Sequence, residues 1–354
     1  MQKISGLIEK LAADHSLSLS EYESLIENRN DEAAKILRGL AVEARQKIYG
    51  REVYVRGLIE ISNICKNDCF YCGIRHSNKN CDRYRLTPEE ILECSSEGYE
   101  LGFRTFVLQG GEDNFFNDEV LGSIVSKIKS QHPDCAVTLS LGERSFESYS
   151  CLKSCGADRY LLRHETASKE HYKKLHPVNM SWDNRIKCLK DLRALGYQVG
   201  CGFMVGSPFQ SNKTLAEDLK FIEEFKPEMC GIGPFIPHKD TPFKNFSAGT
   251  LELTCYLLSV IRLIHPPVLL PATTALGTIN PMGRELGILA GANVVMPNLS
   301  PLSVRKKYEL YDNKICTGEE SAQCKNCLAN RMKKIGYEIV TSRGDFIAST
   351  VKKL

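Results

Sequence analysis

Val53-Tyr54-Val55-Arg56-Gly57-Leu58-Ile59-Glu60-Ile61 opens the part of the chain in which the rhythm of apolar residues changes. Before it, Ile4, Leu7, Ile8 and Leu11, then Ala33, Ile36, Leu37 and Leu40, recur at helical spacing with charges between them, which predicts a helical extension over residues 1–50. From Val53 onward, short β-rich or apolar runs alternate with amphipathic stretches. After 53–61 the runs are 105–108, 136–141, 160–163, 198–205, 229–234, 268–271 and 293–296. Helix starts stand between them: Thr87 can cap with Pro88 in the first helical position, and Ser181-Trp182-Asp183-Asn184 offers another start. Parallel strands need crossovers long enough to hold a helix, so eight β-runs each followed by a helical run predict an α/β fold, a (β/α)8 barrel of the TIM type over residues 51–300. A doubly wound open sheet is the rival, and the count of eight favours the barrel. Residues 301–354 form a C-terminal extension with a cysteine group of its own.

The composition narrows the class. Of 354 residues, 42% are hydrophobic and 25% charged, ordinary values for a globular protein, so disordered and fibrous classes are excluded. The net charge of +3 comes without a long basic run, which argues against a nucleic-acid partner. No stretch approaches the ~18 uncharged apolar residues of a membrane span, and Lys3, Glu9 and Lys10 put charges where a signal peptide is apolar. The expectation is a cytoplasmic protein with no membrane contact. Fifteen cysteines without a secretion signal do not read as a disulfide framework, so metal binding or catalysis is the use expected of clustered ones. Scattered ones such as Cys94, Cys188, Cys230 and Cys255 are expected to pack in the interior.

The clustered ones follow the first β-run: Cys65-Lys66-Asn67-Asp68-Cys69-Phe70-Tyr71-Cys72. Three soft thiolates in one loop suit an iron–sulfur cluster or zinc, and a structural zinc site would need a fourth ligand from Cys81 or His76. Behind the second run, Gln109-Gly110-Gly111-Glu112 lets backbone approach a ligand with no side chain in the way. Functional residues of a barrel gather at the C-terminal ends of its strands. There the chain places Ser140-Leu141-Gly142-Glu143, Arg163-His164-Glu165-Thr166, Met204-Val205-Gly206, Gly233-Pro234-Phe235, Thr273-Thr274 and Met296-Pro297. Strand alternation puts Arg159, Leu161, Arg163 and Glu165 on one face, where arginine and carboxylate either pair or receive a zwitterionic ligand; His164, on the other face, reads as packing. Arg185 can hold a carboxylate or stand as an exposed helix arginine. Thr273 and Thr274 offer hydroxyls and N–H groups to an anionic ligand, or simply end a strand.

The cysteine spacing, with an aromatic residue before the last cysteine, resembles the C-x3-C-x-aromatic-C signature of the radical S-adenosylmethionine enzymes. Arg163-His164-Glu165-Thr166-Ala167, Leu175-His176-Pro177, Ile232-Gly233-Pro234-Phe235-Ile236-Pro237-His238, Pro271-Ala272-Thr273-Thr274-Ala275-Leu276-Gly277 and Gly291-Ala292-Asn293-Val294-Val295-Met296-Pro297-Asn298 are similar, more narrowly, to the HydE family of FeFe-hydrogenase maturases, relatives of biotin synthase and of the methylornithine-forming enzyme. The resemblance implies that Cys65, Cys69 and Cys72 bind a 4Fe–4S cluster whose free iron chelates S-adenosyl-L-methionine. It implies cofactor contacts at Tyr71, Gly110, Gly111, Glu112, Ser140, Glu165, Arg185 and Met296, and a substrate pocket at Arg159, Arg163, Thr273, Thr274, Tyr308 and Tyr311. The implied reaction makes a 5′-deoxyadenosyl radical that processes a cysteine-bound iron dicarbonyl cyanide complex, an organometallic substrate, on the way to the two-iron subcluster of the hydrogenase. An electron donor such as ferredoxin or flavodoxin and the sister maturases HydG and HydF are the implied partners. Cys316, Cys324 and Cys327 have metal-ligand spacing; a second iron–sulfur cluster, zinc and free thiols stay open for them. A lysine mutase and a non-enzymatic iron–sulfur scaffold are the competing functions. Biotin synthase needs cysteines inside the barrel, and only Cys201 and Cys230 lie in β-runs suited to that.

Overall fold

The computed structural model describes residues 2–315 and 325–348; Cys316 and Cys324 lie outside them. Among the described residues eleven strands are formed: β1 Glu52–Val55, β2 Gly57–Ser62, β3 Thr105–Gly110, β4 Ala136–Ser140, β5 Arg159–Leu161, β6 Gln198–Cys201, β7 Met204–Val205, β8 Met229–Cys230, β9 Gly233–Pro234, β10 Val294–Val295 and β11 Glu338–Val340. Every ladder is parallel, as chains with helical crossovers require. Six strands run in the order β2-β3-β4-β5-β6-β8. Single bridges Met229↔Leu269 and Pro271↔Val294 carry the pairing across residues 268–271 to β10. β10 pairs with β1, which leads directly into β2, and Leu58↔Asn298 closes the ring. The fold is a TIM-type barrel.

Three of the expected runs are broken. The first divides between Val55 and Gly57, the fifth at Gly202 and the sixth at Gly231. Gly202 has φ +148, and a Cβ there would stand 2.0 Å from the Gly231 carbonyl oxygen, so the two walls touch backbone to backbone where their ladders stop. The seventh run forms no extended ladder: Pro271 has no N–H to give, and the Leu270 N–H donates to the Asn293 side chain at 2.9 Å.

Helices cover the outside. Thr87 and Glu90 cap Pro88–Glu100 reciprocally, at 3.2 and 2.7 Å, and Ser181 caps Trp182–Ala194. Of the N-terminal helices Gln2–Asp14, Leu19–Glu27 and Asp31–Tyr49, the last packs on Leu251–Ile264 and the second on Asn212–Phe225. The Tyr22 hydroxyl donates to Glu223 (2.7 Å), and the Tyr256 hydroxyl to the Leu25 carbonyl (2.9 Å). Among the described residues, no helix is long and apolar enough to cross a membrane.

The N-terminal end of the barrel is closed by residues 338–346. β11 lies beside β1 in register, Val53 opposite Ile339, and residues 343–346 pass beneath the strands. Arg159, the first residue of β5, points into this plug. It is fully buried; its Nη2 lies 2.6 Å from Asp345 Oδ1 and 2.8 Å from the Arg343 carbonyl, and its Nη1 donates to Thr105 at 3.0 Å. The expected place of Arg159 in the substrate pocket is therefore corrected. Alternation assigned the right face, but a residue two positions before Leu161 stands one barrel layer too low to reach the mouth.

Candidate functional site

β2 leaves the barrel rim as an irregular loop carrying Cys65, Cys69 and Cys72, all half-buried. Lys66 N–H donates to the Glu112 carbonyl (3.0 Å), Phe70 N–H to the Leu175 carbonyl (3.0 Å) and His76 N–H to the Asn67 carbonyl (2.8 Å). Asp68 accepts from Arg75 Nε and the Ser77 hydroxyl, at 2.7 and 2.6 Å. Burial pushes all three thiols up, Cys69 well up and Cys72 to about 12. Thiols in this setting become thiolates only with a cationic partner. Cys65 Sγ accepts the Glu112 N–H at 3.4 Å, and Cys69 Sγ lies 3.8 Å from Met180 Sδ. Among the described residues, no three Cys, His, Asp or Glu side chains gather tightly enough for a single ion. Cys81 accepts from Asn63 at 3.5 Å, and His76 is exposed.

β3 delivers Gly110, Gly111 and Glu112 against this loop. Gly111 N–H donates to the Ser62 carbonyl at 3.0 Å, and a Cβ on Gly111 would stand 2.2 Å from the Ile64 carbonyl oxygen and 2.7 Å from Cys65 Cβ. Only glycine lets the turn lie that close. Asp113 fixes it by accepting from Arg85 (2.7 and 2.8 Å) and Ser62 (2.7 Å). The Glu112 carboxylate rests over Gly142, whose φ of +74 and missing Cβ make the space. Its Oε1 accepts the Glu143 N–H at 3.0 Å, and its Oε2 lies 3.2 Å from Lys66 Nζ. Ser140 ends β4 half-buried beside Gln109.

Beyond β5, Arg163 and Glu165 face each other with Nη2 and Oε2 3.2 Å apart, yet misaligned: neither atom, nor Arg163 Nε, has a hydrogen-bond partner within the protein. Glu165 has φ +64, a backbone state that costs a residue other than glycine roughly 1–3 kcal/mol. Its N–H donates to the Gly202 carbonyl (3.0 Å), and the Gly202 N–H donates to His164 Nδ1 (3.2 Å). That leaves the His164 proton on Nε2, 3.3 Å from Asp218 Oδ1, and the same oxygen accepts the Ala167 N–H at 2.5 Å. Asp218, buried on the helix Asn212–Phe225, thus stands against His164 on one side of Glu165 and accepts the Ala167 N–H on the other.

Arg185 is buried rather than an exposed helix residue; its Nε binds Glu143 Oε1 at 2.5 Å and its Nη1 the Arg163 carbonyl at 2.8 Å. Tyr71 donates to His176 Nε2 at 3.1 Å, since His176 Nδ1 donates to the Tyr172 carbonyl (3.0 Å) and burial holds this imidazole neutral, down at about 3. Met296 packs on Met229, Leu269 and Val294. Thr273 Oγ1 is buried and unpartnered, 2.6 Å from where Gly233 would carry a Cβ; Thr274 begins the helix Thr274–Ile279. Tyr308 is buried, accepts from Gln109 at 3.3 Å and lies under Lys314, which pairs with the buried Glu60; Tyr311 is half-buried nearby in sequence. Cys327 is exposed on the helix Lys325–Lys334, while its companions Cys316 and Cys324 fall outside the described residues. Cys201 and Cys230 pack in the main core, separate from the cluster of Met229, Leu269 and Val294. Cys94, Cys188 and Cys230 are buried and Cys255 half-buried.

Glu143, Lys66, Asp218 and the Glu60–Lys314 pair were not singled out from the sequence for roles. Glu143 repeats after β4 the glycine-then-carboxylate pattern of Gly111-Glu112, a signal that was legible. Lys314 stands 254 positions from Glu60, and nothing local marks it. The donor set fits a cluster with a bound zwitterion. Three thiols need positive charge, a cradle at Gly111 would be filled by any Cβ, and opposite charges on Arg163 and Glu165 lack hydrogen bonds.

Residues 59–222 match the Radical SAM superfamily. The chain is 47% identical over 297 residues to the FeFe hydrogenase maturase subunit HydE of Thermotoga maritima, covering 84% of each protein. The crystal structure of methylornithine synthase, PylB, superposes with a TM-score of 0.82 at 25% identity, covering 94% of this chain and 97% of that one. HydG, a maturase of the FeFe-hydrogenase, shares the fold with a TM-score of 0.79 at 20% identity, over 96% of this chain and 76% of its own. At 47% identity over 84% of each protein, the chain belongs to the radical SAM superfamily and, within it, to the family of the hydrogenase maturase subunit HydE.

Proposed function

We propose that this enzyme opens S-adenosyl-L-methionine to a 5′-deoxyadenosyl radical and applies it to a cysteine-bound iron dicarbonyl cyanide complex during assembly of the hydrogenase two-iron subcluster. The observation that carries the reading is the meeting at one barrel mouth of three desolvated thiols, the Gly111 cradle and the Arg163–Glu165 ion pair that lacks a hydrogen bond. Cys65, Cys69 and Cys72 would hold a 4Fe–4S cluster, which when bound supplies the electron that cleaves the sulfonium C–S bond. Gly110, Gly111 and Glu112 receive the methionyl ammonium, a cation suited to a carboxylate whose position is set by Gly142 and Glu143. Ser140, Glu165, Arg185, Met296 and Tyr71 complete the cofactor site, with Arg185 held in place by Glu143.

Arg163, Thr273, Thr274, Tyr308 and Tyr311 are assigned to the substrate; the unpaired Thr273 hydroxyl can donate to a cyanide nitrogen. The plugged lower end excludes water and stray hydrogen donors from that side of the barrel. Residues 1–50, 51–300 and 301–354 form the helical extension, the barrel and a C-terminal part in which Cys316, Cys324 and Cys327 carry an accessory cluster. The enzyme works in the cytoplasm with a ferredoxin or flavodoxin as donor and alongside HydG and HydF.

The test is anaerobic reconstitution with iron and sulfide, followed by electron paramagnetic resonance of the reduced protein with and without S-adenosylmethionine and assay of 5′-deoxyadenosine. A cofactor-induced spectral change with product is expected, lost when any of Cys65, Cys69 or Cys72 becomes alanine. A cluster signal indifferent to the cofactor would point to a scaffold, and conversion of lysine to methylornithine would replace the substrate assignment.

A further inference from the structure

Beside the cysteine loop lies an apolar patch that none of these roles uses. Phe209 and Phe246 are 51% and 38% exposed, and Val178 is fully exposed. The rings are connected inward: Phe209 and Phe246 stand 5.3 Å apart, both contact Phe243 (6.1 and 5.2 Å), and Phe243 contacts Phe70 at 6.0 Å. Phe70 follows Cys69 in the chain, and on the other side Met180, two residues after Val178, touches Cys69 Sγ at 3.8 Å. Phe209 is held at φ +65, a left-handed state unfavourable for a bulky side chain, so the fold keeps an exposed aromatic ring there against local preference.

The rim of this patch is basic. Residues 167–183, 206–214 and 238–249 contain six lysines against three carboxylates, Glu170, Asp183 and Asp240. Lys169 is engaged by Asp183 and Lys173 by Glu170, whereas Lys174 lies over the Phe209 ring with its Nζ 5.4 Å from the centroid. Lys213 and Lys244 are exposed. An apolar, aromatic centre inside a charged rim is the anatomy of a protein interface in which charge guides encounter and the aromatic anchors hold.

We propose that this patch is the docking surface of the electron donor, a small protein with an acidic face, and that the electron enters past Phe70 and Met180. The proposal rests on the reading of Cys65, Cys69 and Cys72 as cluster ligands. In the step, the donor is oxidised by one electron and the cluster reduced by one; no bond is made or broken and no group is transferred.

The test uses the reconstituted holoenzyme, reduced either by an acidic ferredoxin over a range of ionic strengths or by saturating dithionite, with 5′-deoxyadenosine as the product. Lys174→Glu with Lys244→Glu should raise the KM for ferredoxin roughly tenfold or more and flatten its salt dependence, with iron content and the dithionite-driven rate unchanged. Phe246→Ser should raise the same KM without altering the salt dependence. An unchanged ferredoxin KM in both variants overturns the proposal. So does a loss that is equal with dithionite, which would make these residues supports of the cysteine loop. If the unaltered protein forms no product even with dithionite, the cluster reading itself fails, an outcome distinct from failure in the ferredoxin arm alone.

Discussion

Replacing Arg159 with methionine should destabilise the protein while leaving the barrel mouth intact. Methionine keeps most of the stem but none of the donors that bind Asp345, the Arg343 carbonyl, Thr105 and Gln198. Removing one partner of a buried pair costs about 3–5 kcal/mol. Asp345 is 38% exposed and keeps Arg343 at 2.9 Å, so screening places the loss at the lower end, about 3 kcal/mol. At roughly 2–4 °C per kcal/mol for a large domain, the melting midpoint at neutral pH should fall by about 6–12 °C. The pH dependence has a definite sign. Burial would raise the Asp345 carboxyl, but hydrogen bonds from Arg343 and the charge of Arg159 hold it below the usual carboxylate range. A depressed folded-state value contributes stability that is complete above the unfolded value and is lost as pH falls through the folded one. Without Arg159 the depression shrinks, so the gap between the two proteins should be widest above about pH 5 and narrow towards about pH 2. Thermal unfolding followed by circular dichroism, with S-adenosylmethionine binding measured alongside, checks both. An unchanged midpoint together with impaired substrate turnover would refute the reasoning and return Arg159 to the substrate pocket.

Gly111→Ala should push Ile64 and Cys65 outward, costing about 1–3 kcal/mol as overpacking does; iron bound per chain should drop, and full iron with normal cofactor cleavage would count against the cradle. Asp218→Asn should loosen the left-handed turn at Glu165 and weaken S-adenosylmethionine binding about tenfold, roughly one lost charged hydrogen bond. Its iron content should be unchanged, so calorimetry showing unaltered affinity would remove Asp218 from that role. Changing Thr273 and Thr274 to valine should reduce substrate turnover more than formation of 5′-deoxyadenosine. Equal losses would instead put both threonines in the cofactor site.

Much of the mouth was readable because its signals are local. The cysteine spacing, the Gly110-Gly111-Glu112 turn and each strand end are each marked within a few residues of sequence. Arg163 and Glu165 do face each other, although beyond the end of β5 it is the left-handed turn at Glu165 and not strand alternation that brings them together. The same alternation misled at Arg159, because it reports which face a residue takes and not how deep in the barrel it lies. Arg185 stayed ambiguous for a related reason: whether a helix arginine is exposed depends on what packs over it, here Glu143 and the Arg163 carbonyl from two other segments.

The sequence by itself determined the count of βα units, the loop that carries the three thiols and the residues that meet at the strand ends, since each follows from periodicity or spacing along the chain. Only the tertiary structure decided that β11 and residues 343–346 close the barrel beneath Arg159, that Lys314 neutralises Glu60, and that Asp218 holds Glu165 in place. It also decided that Phe209, Phe243 and Phe246 form one aromatic group that reaches Phe70 beside Cys69. These are contacts between residues tens to hundreds of positions apart, and a chain encodes them through the packing of the whole barrel rather than through any pattern a short window contains.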